Sequence, residues 1–184
     1  LLMKFIPLIF FLCFSLNLYG KNGQVTGLEI PRFVSLKSND VNMRVGPSIN
    51  YPIKLKYVFQ NLPLEIIGEF DVWRKSRDHD GNVGWVHKSL IKGDRYILTG
   101  SQINADIDLL SWPNGKITGL IKNNNILRLK SCTLHWCKVS KDSISGWVLK
   151  KNIWGVYEGE IYNTKFYQPL INQYWKLLNS KFYN

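Results

Sequence analysis

Apolar and polar positions change places at short intervals along most of the chain. Val41, Met43 and Val45 alternate with polar neighbours, and Leu64-Glu-Ile-Ile-Gly-Glu-Phe70 is a mostly apolar run; both patterns predict β-strands. Glu65 and Glu69, four apart in that run, are expected on one strand face. Asp80-Gly81 predicts a hairpin turn between strands led by Trp73 and Trp85. Asn61-Leu-Pro63 and Asn123-Asn-Asn125 interrupt the chain just before the strands that follow them. Short strands separated by turns, in units of about 60 residues, predict small closed or nearly closed barrels.

Two segments break this pattern. Within residues 1–20, Lys4 precedes an apolar run from Phe5 to about Leu16, followed by polar and small residues up to Gly20. This is the layout of a secretory signal, and the run is shorter than the ~20 residues of a spanning helix. The expectation is a cleaved signal, no integral membrane span after cleavage, and a periplasmic or secreted protein. Near the other end, Leu170, Tyr174 and Leu178 recur at helical spacing, with Ile171 and Trp175 beside them and Pro169 in the first turn. That predicts a short amphipathic C-terminal helix, docked on a barrel or turned toward a partner or membrane surface.

The β region repeats itself. Trp73, a polar turn, Gly84-Trp85-Val86, Lys88 and Ile91 recur as Trp136, a polar turn, Gly146-Trp147-Val148, Lys150 and Ile153. The leading tryptophans are 63 residues apart and the Gly-Trp-Val triplets 62 apart. Tyr96-Ile-Leu-Thr99 ends the first copy and opens the second, so the linker is short.

The ordered set Asn42-Met-Arg44-Val-Gly46-Pro47-Ser48, Trp73 and Gly84-Trp85-Val86 resembles the bacterial SH3-like (SH3b) domain. With Trp136-Cys137, Gly146-Trp147 and Trp154-Gly155-Val156-Tyr157, residues 31–157 resemble exported bacterial proteins that carry paired SH3-like domains. The resemblance implies an all-β fold of two tandem small SH3-like barrels, at 31–95 and, more degenerate, at 96–157, with a tail at 158–184. It also implies a non-catalytic module that binds cell-wall peptide, peptidoglycan or an envelope protein segment. The ligand groove would include Arg44, Asn42, Gly46, Pro47, Trp73 and Trp85, with Arg44 holding a carboxylate and the tryptophans giving flat contact area. The same tryptophans also suit packing at the end of a barrel too small to fill itself with aliphatics. Gly46 is expected to take unusual backbone angles, and Gly84 to let the chain approach a neighbouring strand closely. In the second copy Leu110-Ser-Trp-Pro113 stands where the first has Arg44-Val-Gly-Pro47, so recognition is expected on the first barrel. A different reading is a structural protein, or a targeting subunit of a cell-wall hydrolase, acting through the C-terminal helix.

Charge changes the picture less than its size suggests. The chain of 184 residues carries 24 Lys and Arg against 13 Asp and Glu, a balance of +11, with 14% aromatic residues. Without the first 20 residues, which hold Lys4 and no acid, the balance is about +10. Arg74 and Lys75 would face opposite sides of a strand, so no single face collects the basic clusters. With no RNA- or DNA-binding motif, nucleic acid is excluded as the intended partner in favour of a solvated or weakly anion-attracting surface. Cys132 and Cys137 flank a strand–turn–strand, and in an oxidising compartment they are expected to pair. Separate thiols are the alternative, and Cys132, His135 and Cys137 form a poor metal spacing, so no metal is expected. Asp78-His79-Asp80 falls at a hairpin tip, where turn chemistry accounts for it. No nucleophile arrangement, phosphate loop or dinucleotide fingerprint appears, so neither catalysis nor a cofactor is expected.

Overall fold

The computed structural model describes residues 21–100, 104–168, 170, 171, 173, 174 and 177. The signal expected at 1–20 lies outside the described residues, and the helix expected from Pro169 onward falls largely outside them. Among the described residues no helix is long and apolar enough to cross a membrane.

A two-stranded ribbon, β1 (Lys21–Asn22) and β2 (Glu29–Ile30), leads into the first barrel. That barrel comprises β3 (Arg32–Leu36), β4 (Val41–Arg44), β5 (Ile53–Tyr57), β6 (Pro63–Phe70), β7 (Trp73–Arg77), β8 (Val83–His87) and β9 (Ile91–Lys92). The second comprises β10 (Tyr96–Thr99), β11 (Ile107–Leu110), β12 (Ile117–Ile121), β13 (Ile126–Cys132), β14 (Trp136–Lys141), β15 (Ile144–Leu149) and β16 (Ile153–Trp154). The first sheet runs β5-β4-β8-β7-β6-β3-β9 and the second β12-β11-β15-β14-β13-β10-β16. Adding seven to each strand number converts one order into the other, so the sequence repeat is a repeat of topology.

The alternation read from the sequence is that of burial for Val41 and Met43, whereas Val45 falls past the end of β4 and is exposed. Val41, Met43, Leu64, Ile66 and Val86 point into the first core; Leu109, Leu127, Leu129, Val139 and Val148 point into the second. One expectation fails here. A register shift between Ile66 and Gly68 puts Glu65 opposite Arg77 and Glu69 opposite Arg74. Arg77 and Arg74 lie on opposite faces of β7, so the bulge turns Glu65 and Glu69 to opposite sides as well.

The barrels are welded together. Leu98 of β10 is buried in the first core, and Ile126 and Trp154 of the second barrel pack against it. Phe33 meets the edge of Trp154 at 5.3 Å and the ring of Tyr157 at 4.7 Å between centroids. The Tyr157 hydroxyl donates to Glu65 Oε1 at 3.1 Å. Arg95, between the barrels, donates to both Glu160 carboxylate oxygens (2.7 and 3.0 Å) and to the Gly155 carbonyl (2.8 Å). Gly155, at φ +112, holds a conformation that L side chains rarely adopt, and a Cβ there would stand 2.6 Å from the Tyr96 carbonyl oxygen and 3.3 Å from Pro63. The Trp-Gly-Val-Tyr run that ends the second copy is therefore the seam of the molecule.

Candidate functional site

The candidate groove residues sit on the outward face of β4, β8 and β7. Arg44 is cross-strand partner to Trp85, and Trp85 to Lys75 on its other side, giving a row of guanidinium, indole and ammonium. Asn42 precedes Arg44 by two residues and shares its face. The row can form because β8 closes tightly on β4: a Cβ on Gly84 would press into Met43 and lie 2.7 Å from the Arg44 carbonyl. Gly146 does the same in the second copy, 2.9 Å from the Leu110 carbonyl.

Arg44 Nη1 donates to the Tyr51 carbonyl at 2.7 Å, which ties the guanidinium to the loop that follows β4 and leaves its remaining N–H groups for a ligand. That loop is closed by Val45 N–H to the Pro52 carbonyl (3.1 Å) and Tyr51 N–H to the Ser48 carbonyl (3.2 Å). Gly46 is not at positive φ, contrary to expectation. It is glycine because the Tyr51 ring lies 2.6 Å from where a Cβ would stand. Pro47 is half-buried behind it. The Asn42 Oδ1 is buried and has no protein partner.

Trp73 does not join the open surface. It is 7% exposed and meets His87, its cross-strand partner, edge-on at 5.4 Å, two residues along the ladder from the Trp85–Lys75 pair. Trp85 is half-buried and keeps part of its ring accessible. In the second barrel Trp147 is only 3% exposed, and Leu110 is paired with it where Arg44 pairs with Trp85. At these equivalent positions the first barrel presents a cation beside an accessible indole and the second does not.

Sequence reasoning missed four residues beside Arg44. Val45, Ile49, Tyr51 and Ile53 are all exposed, in the loop and at the start of β5. The signal was available: apolar residues interspersed with Gly, Pro, Ser and Asn belong to a turn, where no core can receive them.

Elsewhere the titratable groups serve the scaffold. Asp78 is buried and accepts from the Tyr57 hydroxyl (2.9 Å), the Asp80 and Asn82 N–H groups (3.1 and 2.8 Å) and the Asn82 side-chain amide (3.1 Å). It locks the β7–β8 hairpin tip. Burial, with the Asp78 carboxylate beside it, pushes the Tyr57 hydroxyl far up. Lys150 is pushed down by its own burial, although Glu160 and Glu158 oppose this, and it donates to both of their carbonyls. Cys132 and Cys137 face each other across β13 and β14 and are joined by a disulfide. Among the described residues no three His, Cys, Asp or Glu side chains cluster as metal ligands.

The fold is a small β-barrel domain built twice. The chain belongs to the bacterial SH3 domain family, whose match covers residues 37–93 and 113–155, more than half of the sequence. Domains of this family are binding modules. The second match begins at Pro113, after the strand where Leu110 replaces the arginine. No curated protein matches the chain. Among solved structures, NlpC2 and NlpC1 from Trichomonas vaginalis are similar at 12% identity and a TM-score of 0.30, over 67% and 71% of this chain. The chain spans 48% of each of those proteins, and the likeness is too slight to bear on function.

Proposed function

We propose that this protein is an exported, non-catalytic binding module whose first barrel holds a cell-wall peptide, such as the stem peptide of peptidoglycan. One observation carries the reading: Arg44, Trp85 and Lys75 stand in a row beside four exposed apolar residues, Val45, Ile49, Tyr51 and Ile53. A free guanidinium edge pairs bidentately with a carboxylate, and the indole and loop cover the apolar part of the same ligand. The second barrel, with Leu110 and a buried Trp147 at these positions, supports the first and lacks the groove. Export rests on the segment 1–20.

The test is retention of the mature protein on purified peptidoglycan. Wild type is retained, and Arg44→Ala and Trp85→Ala each weaken retention about tenfold, the scale of one charge-assisted hydrogen bond or one aromatic contact. Leu110→Ala leaves it unchanged. No retention of wild type, or equal retention of Arg44→Ala, overturns the reading.

A further inference from the structure

A groove with a volume near 880 Å³ lies away from Arg44, between the two barrels. Equivalent turns of the two copies wall it. Asn61, ahead of β6, and Asn124, ahead of β13, are 63 residues apart and both left-handed, at φ 68° and 57°. Their N–H groups donate to the carbonyls of Leu36 (3.0 Å) and Thr99 (2.8 Å), themselves 63 apart. His79, at the tip of the β7–β8 hairpin, lines one side, and Lys141, at the β14–β15 tip, lines the other.

The two walls differ in chemistry. On the second barrel Arg128 and Lys130 flank the buried Leu129 on β13, are both exposed and both line the groove, with the bulge of that strand falling at Lys130. The copy of Arg128 in the first barrel is Glu65, so the repeat does not impose this charge. Among the described residues no carboxylate pairs with Arg128 or Lys130, and Asp142 is the one acid lining the groove. Lys141 donates to Asn125 Oδ1 at 3.0 Å and adds a third cation. On the first barrel Asn61 Oδ1 and His79 Nδ1 are buried without a protein partner, and Phe59 is 63% exposed. Buried polar atoms ordinarily have partners, so two in one groove wall mark a surface shaped to receive them.

We propose that this groove is a second binding site, for an extended acidic peptide with carboxylates on alternate residues. In an extended chain alternate side chains stand about 7 Å apart on one side, so carboxylates at that spacing can meet two cations that flank a single inward residue of β13. A peptide N–H supplies the donor that Asn61 Oδ1 lacks, and Phe59 covers an apolar side chain. The ends of this chain do not fit the site, since there is no Asp or Glu before Glu29 or after Glu160. The site shares no residue with the Arg44 row and does not depend on it. It also gives the second barrel, which has lost the arginine, a ligand contact of its own.

The probe is a fluorescein-labelled peptide alternating Glu and Thr, followed by anisotropy at low salt on the full described chain, beside an isomer with its Glu residues consecutive. Wild type binds the alternating peptide, and binds the isomer at least fivefold more weakly. The Arg128→Gln, Lys130→Gln double variant loses at least tenfold in affinity. Asn61→Gly, which keeps the left-handed backbone, loses about threefold. Arg44→Ala binds as wild type does, and the double variant keeps its retention on peptidoglycan, so this site and the first-barrel groove fail independently. Thermal melting checks that each variant folds. No binding by wild type, equal affinity of the double variant, or equal affinity for the isomer overturns the proposal. So does loss of binding in Arg44→Ala, or tighter Arg128-dependent binding of a soluble polyuronate than of the peptide.

Discussion

Glu69 shows how one carboxylate can fasten the segment ahead of a barrel to the barrel itself. Its side chain is shielded from solvent and accepts from the Val25 and Thr26 N–H groups (3.1 and 2.9 Å), the Thr26 hydroxyl (2.7 Å) and Arg32 Nη2 (2.7 Å). Burial raises its pKa, but the bonds from Arg32, Thr26 and Val25 outweigh burial and bring it from 4.5 to about 2. A carboxyl lowered on folding contributes stability above its unfolded pKa and loses it as pH falls through the folded one. The contribution, at most about 3 kcal/mol, is therefore complete above pH 4.5 and disappears toward pH 2. Melting temperature followed across that interval should fall steeply for wild type. Glu69→Gln, less stable at neutral pH, should show a flatter profile. Parallel profiles for the two proteins would contradict this account.

At the scale of elements, the β13–β14 hairpin is held by the Cys132–Cys137 disulfide, and β13 is held beyond it by the paired backbone of Cys132 and Tyr162 (2.7 and 3.0 Å). A loop this short restricts the unfolded chain only modestly, so reduction should cost about 2 kcal/mol. Melting with and without reductant measures this, and unfolding of the whole molecule on reduction would show that the bond does more. The strands and their order of appearance were legible because a period of two and a repeated Trp, Gly-Trp-Val pattern survive in both copies. The Gly84 contact was legible for the same reason. What escaped was whatever depends on a neighbour distant in sequence. The bulge near Ile67 that separates Glu65 from Glu69 leaves no mark on local alternation. Gly46 answers to the ring of Tyr51, and Trp73 packs edge-on against His87 of the next strand. Arg44 and Trp85 were legible as a pair through the family motif. The apolar loop beside them was readable and went unread, because exposure is not a property of periodicity. The inter-barrel groove requires knowing how two copies dock, which no single copy encodes.

For the whole molecule, the seam decides cooperativity. Arg95 and Glu160 are mostly buried, lie 2.7 Å apart, and fasten the second barrel's exit to the junction between the copies. The Arg95 guanidinium also stacks over Phe33 and Tyr162, at 5.6 and 5.1 Å. Arg95→Ala strands the Glu160 carboxylate and removes both stacks, a loss of about 3 kcal/mol. Wild type should unfold in one calorimetric transition, because the second barrel completes the core of the first. Arg95→Ala should either lower that transition as a unit or split it in two. Two well-separated transitions in wild type would show that the barrels are independent.

The shared core also sets an order on folding as the chain is made from its N-terminus. Leu98, Ile126 and Trp154 all belong to the first barrel's packing yet come later in the chain than its last strand. The leading barrel therefore waits, with part of its interior open, until Trp154 has emerged. A chain built this way stays pliable for most of its synthesis and closes both halves nearly at once.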